Sequence, residues 1–128
     1  RAGAVVHLHS CYSTALSLLP CDDSSNWLPS LTPYGIMQLG KVRLLPYFIP
    51  GSAEIGSAIK DLAGKHSAIM LANHGPVVSA KTLEAAVYAS EELEATSKLA
   101  YLTRALEPNA LTTKQVNDLV SQYNVEWD

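Results

Sequence analysis

Val5-Val6-His7-Leu8-His9-Ser10, answered further along by Asn73-His74-Gly75, is the stretch from which the rest of the chain can be read. The β-branched pair Val5-Val6 marks an extended strand. Side chains alternate faces along a strand, so His7 and His9 project from one side and can share a cation. A His-x-His pair alone is more often two ordinary half-buried residues. The second motif shifts that balance: Asn73-His74-Gly75 follows the apolar run Ser67 to Leu71, where a strand end offers a ligand, and Gly75 lets backbone pass close to a bound group. Three histidines match the protein-ligand count of catalytic zinc sites, which keep a further position for substrate or water.

Outward from this stretch, strands and helices alternate. Val5 to His9 reads as a strand and Tyr12 to Leu19 as a helix, through Ala15, Leu16 and Leu19. Residues 20–33 mix Pro, Asp, Ser and Asn and read as a surface loop anchored by Trp27. A short helical turn over Tyr34 to Leu39 ends at Gly40, and Val42 to Phe48 reads as a strand that Pro46 confines to an edge or an end. Ser52 is placed to cap a helix whose buried stripe is Ile55, Ile59 and Leu62. After the strand Ser67 to Leu71, the histidine motif sits at a kink before Val77-Val78 resumes an extended course. Thr82 to Leu106 is the longest helical pattern, with Leu83, Val87, Leu93, Leu99, Leu102 and Leu106 apolar, an Ala-rich face at Ala86, Ala89 and Ala100, and Glu94 four residues before Lys98. Thr112-Thr113-Lys114-Gln115 opens a final helix as a capping box. The pattern predicts a layered α/β domain.

Composition excludes several classes. The 128 residues are 48% hydrophobic and 16% charged, enough apolar material for a core and too much for disorder. A net charge of −3 gives no basic field for nucleic acid or an anionic membrane. No apolar run nears the roughly 20 residues that span a bilayer, and no signal peptide is visible, so a cytoplasmic location is expected. Cys11 and Cys21 are too few for a disulfide framework and are read as free, mostly buried thiols. A strand-to-helix turn rotates Cys11 away from His9, and His66, at a helix end, also stays outside the ligand set. Glu91, Glu92 and Glu94 read as a solvated or interface face of the long helix. The chain opens at Arg1, three residues before an apolar strand, and reads as part of something longer.

Val5 to Ser10, Ala72 to Val78 and Glu91-Glu92-Leu93-Glu94 together resemble the class II aldolase/adducin family over essentially the whole chain. Thr32-Pro33-Tyr34, Leu45-Pro46-Tyr47 with Pro50-Gly51, and Leu71 to Val78 are similar to its 3-oxo-tetronate 4-phosphate decarboxylase branch. The resemblance implies a three-layer α/β/α fold around a mostly antiparallel sheet, with residues 1–128 forming a single domain that lacks the family's N-terminal part. It implies that His7, His9 and His74 ligate one Zn²⁺ per subunit. The family's acid/base glutamate and phosphate-holding loops would precede Arg1. Tyr34 matches a tyrosine that family members place in a neighbouring subunit's site, within a homotetramer, and is equally an ordinary loop aromatic. Tyr123 is read as packing.

The activity so implied is a metal-dependent carbon–carbon lyase acting on a small phosphorylated sugar acid. Decarboxylation of a 3-oxo-tetronate 4-phosphate through a metal-stabilised enediolate would give CO₂ and dihydroxyacetone phosphate. Cleavage of a fuculose or ribulose phosphate by a class II aldolase uses the same intermediate. A non-catalytic adducin-like interaction domain is the alternative from another class.

Overall fold

In the computed structural model, which describes residues 2–127, the chain forms β1 (Ala4–His7), α1 (Cys11–Ser17), a 3-10 turn (Ser24–Asn26), α2 (Pro33–Leu39), β2 (Arg43–Leu45), α3 (Ala53–Asp61), β3 (Ala68–Leu71), β4 (Gly75–Ala80), α4 (Leu83–Thr103) and α5 (Thr113–Tyr123). Arg1, where the chain opens, lies outside the described residues. The strands form one sheet in the order β1-β4-β3-β2. β1/β4 and β3/β4 are antiparallel, as expected of a mostly antiparallel sheet. β2/β3 is parallel because α3 carries the chain back across the sheet between them.

Side-chain alternation along β3 divides the core between two faces. Ala68 and Met70 join Trp27, Leu39, Val42, Val78 and Leu93 on one face, while Ile69 and Leu71 meet Ile55, Ile59 and Leu62 of the α3 region on the other. Helices therefore flank the sheet on both sides, which is the three-layer arrangement. β3 is buried along its whole length because it is an inner strand covered on both faces, and its sequence is accordingly a continuous apolar run.

Local signals account for most boundaries. Pro33 opens α2, Thr32 accepts the Gly35 N–H, and Gly40 ends the helix at φ +64. Thr112 and Gln115 form both halves of the capping box. Trp27 is buried and donates its backbone N–H to Val42, anchoring the loop as expected. β2 is shorter than the predicted Val42–Phe48 strand, since Pro46 lacks the N–H to extend a ladder. Ser52 occupies the N-cap of α3 without a side-chain capping bond, and the α3 stripe is half-buried rather than buried.

Three expectations are corrected. Both cysteines are exposed, Cys11 at the start of α1 and Cys21 in the following loop. On α4 the buried face is Ala86, Ala89, Ser90, Leu93, Thr96, Ser97 and Ala100. Leu83, Val87, Leu99, Leu102 and Leu106 face outward instead, and the Ala-rich face packs against the domain. Glu94 does not pair with Lys98, whose Nζ lies 5.3 Å from the centroid of the Tyr12 ring. The orientation of α4 can be checked directly. Leu93→Ala, at a fully buried position, is expected to cost about 3 kcal/mol. Leu99→Ala, at 43% exposure, should stay within about 0.5 kcal/mol. Urea midpoints of the two variants read the difference.

Candidate metal centre

β1 ends at His7, so His9 stands just beyond the strand, separated from α1 by Ser10 alone. His74 lies in the turn between β3 and β4, where Asn73 takes the left-handed conformation at φ +61 that asparagine tolerates. The pairing of His7 with Val77 across β1/β4 carries the two segments to the same place. Gly75 is required there: a Cβ on it would collide with the Leu8 carbonyl as the two backbones cross.

His74 Nε2 lies 3.2 Å from His7 Nε2 and 3.2 Å from His9 Nε2. The three rings sit with centroids 4.8–5.2 Å apart. His7 is oriented from behind, its Nδ1–H donating to the Pro76 carbonyl at 2.9 Å. That bond assigns the ring proton to Nδ1 and leaves Nε2 as a bare lone pair aimed into the cluster. A single proton cannot satisfy three nitrogens facing one point; a cation can. Nitrogens about 2.0–2.1 Å from one tetrahedral metal lie about 3.3–3.4 Å from each other, close to the spacing of both pairs. Among the described residues, His7, His9 and His74 form a group able to hold a metal ion. His7 and His9 are exposed and His74 half-buried, which leaves the outer side open to a ligand. Burial, then Coulomb repulsion from His7 and His9, holds the His74 pKa below the usual imidazole value, favouring its neutral, ligating form.

The triad chosen from the sequence is thus brought together, and the residues set aside stay apart from it. Cys11 lies outside the group. His66 donates its Nδ1–H to the Lys41 carbonyl at 2.8 Å. Tyr34 is 63% exposed on α2 and Tyr123 is exposed at the end of α5. Sequence reasoning passed over three supports of the site. Glu94 of α4 accepts the backbone N–H groups of Tyr12 at 2.9 Å and Ser13 at 2.8 Å. Ser17 Oγ accepts the Asn73 N–H at 3.1 Å, and the Thr14 hydroxyl donates to the His74 carbonyl at 3.5 Å. The signal available was Ser13 and Ser17, four residues apart and so on one face of the helix, which the structure buries.

Residues 1–101 match the family model described as Class II Aldolase and Adducin N-terminal domain. The chain belongs to this class II aldolase/adducin family. Within the family, it is 45% identical over 121 residues to a 3-oxo-tetronate 4-phosphate decarboxylase of Escherichia coli, covering 94% of this chain and 57% of that protein. It is 34% identical over 104 residues to an L-fuculose phosphate aldolase of Methanococcus maripaludis, covering 81% and 54%. The solved structure of YgbL from Klebsiella pneumoniae, described as a candidate aldolase/epimerase/decarboxylase, superposes with a TM-score of 0.88 at 42% identity, over 92% of this chain and 57% of that one. The class II aldolase-like chain spans a little over half the length of these relatives. None of its described helices is long and apolar enough to cross a membrane.

Proposed function

We propose that this chain carries the metal centre of a carbon–carbon lyase, with His7, His9 and His74 holding one Zn²⁺ per subunit. The whole enzyme would convert a 3-oxo-tetronate 4-phosphate to CO₂ and dihydroxyacetone phosphate, taking up a proton at the carbon that loses its carboxylate. The observation that carries this reading is the convergence of three imidazole Nε2 atoms, one of them fixed in tautomer by the Pro76 carbonyl. A bound divalent cation supplies Lewis acidity, drawing electron density from a substrate carbonyl as the neighbouring C–C bond breaks.

The chain's own residues set the stage for that chemistry. Pro76 holds the His7 ring, the β3–β4 turn presents His74, and the exposed sides of His7 and His9 leave an approach for a small phosphorylated sugar acid. Tyr34, open to solvent, is available to reach a neighbouring subunit's site in a homotetramer. The reading further assigns residues 1–128 to one domain and the enzyme to the cytoplasm.

The 45% identity to a decarboxylase supports decarboxylation over aldol cleavage. The aldolase relative supports a second reading, retro-aldol cleavage of a ketose phosphate at the same triad. The deciding experiment offers the zinc-loaded protein 3-oxo-tetronate 4-phosphate and, separately, fuculose 1-phosphate and ribulose phosphates. CO₂ release from the first is the expected result. Aldehyde formation from the others without CO₂ would transfer the assignment to the aldolase reading. A stable protein that takes no metal and turns over none of them would leave an adducin-like interaction domain.

A further inference from the structure

We propose that Glu94 is a positioning residue for the histidine triad, acting through α1, which it holds in place between α4 and the two ligand-bearing segments. The proposal rests on the metal reading above and adds to it a residue that touches neither metal nor substrate.

α1 has only seven residues, too few to stand without outside support. Its N-cap, Ser10, makes no side-chain capping bond. The task passes to Glu94, more than eighty positions away, whose two carboxylate oxygens accept the Tyr12 and Ser13 amides. A carboxylate suits that place, because the first amides of a helix lack partners and carry its positive pole, and a charged acceptor makes the stronger bonds. His9 lies only two residues before the first residue of α1, so fixing the first turn of α1 fixes the backbone that aims His9. Further along α1, Ser17 Oγ accepts the Asn73 N–H and the Thr14 hydroxyl donates to the His74 carbonyl. One short helix therefore bonds to the neighbourhoods of two of the three histidines. Glu94 ties that helix to α4, the longest element of the fold. The carboxylate is not among the residues grouped as possible metal ligands, and its oxygens are already committed to the two amides.

The test measures zinc affinity by chelator competition and the visible absorption of the cobalt-loaded chain, in the parent and in Glu94→Ala, Glu94→Gln and Ser17→Ala. Glu94→Ala should weaken zinc binding about 10–100-fold, the range seen when partners behind metal ligands are removed, and should change the cobalt spectrum. Glu94→Gln keeps one acceptor oxygen and should recover part of both. Thr112→Ala, which removes the cap of the distant α5, is the control for lost stability and should change neither. Parent-like affinity and spectrum in Glu94→Ala would overturn the proposal, as would an equal loss in Thr112→Ala. If Glu94→Ala does not fold, Glu94→Gln and Ser17→Ala carry the same comparison. If the parent takes up no metal, the metal reading falls separately. The shift of the His9 ring resonance in Glu94→Gln and the exchange rates of the Tyr12 and Ser13 amides then decide whether Glu94 aims His9, and no change in either overturns it.

Discussion

His9→Ala is expected to strip the protein of its metal at concentrations that saturate the parent. The loss should exceed 100-fold, because a ligand is removed outright, whereas removing a partner behind a ligand costs about 10–100-fold. His9 is exposed, so the metal-free variant should unfold within about 0.5 kcal/mol of the metal-free parent. Equilibrium dialysis with zinc, paired with urea titration in chelator, separates the two effects. Parent-like zinc uptake would remove His9 from the ligand set. Acid provides an independent arm, because protons compete with metal for the ligating nitrogens. The folded-state pKa of His74 lies below its ordinary value through burial and then Coulomb repulsion from His7 and His9. Its contribution to metal-free stability is thus present above the unfolded value of about 6.5. That contribution is lost as pH falls from there through the lower folded value, because the unfolded chain accepts a proton that the folded chain resists. Stability of the metal-free chain should accordingly decline below about pH 6.5, less so in His74→Ala.

Gly75→Ala should be the most disruptive single methyl in the chain. The added Cβ falls onto the Leu8 carbonyl, backbone against backbone, so no side-chain rotation relieves it. Either β1 separates from β4 or the β3–β4 turn shifts. The expected cost is about 3 kcal/mol, the upper end for overpacking, together with loss of metal binding, since Leu8 lies between His7 and His9. A melting temperature and zinc affinity like the parent's would show that the crossing is looser than described. Gly56 is the contrasting position: nothing lies within 4 Å of a Cβ placed there, and Gly56→Ala should be tolerated.

The triad was legible because its geometry is local at each end. His7 and His9 are two residues apart at the end of a strand, and His74 follows an apolar run into a turn. The capping box is similarly short-range, which is why Thr112 marked its helix accurately, whereas Pro33, read as the end of the loop, opens α2. The face of α4 was not legible. Its outward face mixes leucines with Glu84, Glu91 and Lys98 and its inward face mixes Ala with Ser and Thr, so neither face stands out as apolar, and close packing against α1, α2 and the sheet favours the small side chains. Glu94 misled for a different reason. Its Lys98 neighbour at the next turn offered a local partner, while the amides it serves are 81 and 82 positions away and invisible until α1 is placed. The exposure of Cys11 follows the same rule, since α1 buries the face bearing Ser13 and Ser17 and turns Cys11 outward.

The pairing of His7 with Val77 also bears on how the protein folds. The two strands that assemble the site come together from positions 67 residues apart for His7 and His74, and such distant pairings are slow to form. A slip of one residue between β1 and β4 would turn His7 to the opposite face of the sheet and leave its ring without the Pro76 carbonyl. A cation that requires all three imidazoles would therefore bind the correctly registered chain and pass over the slipped one.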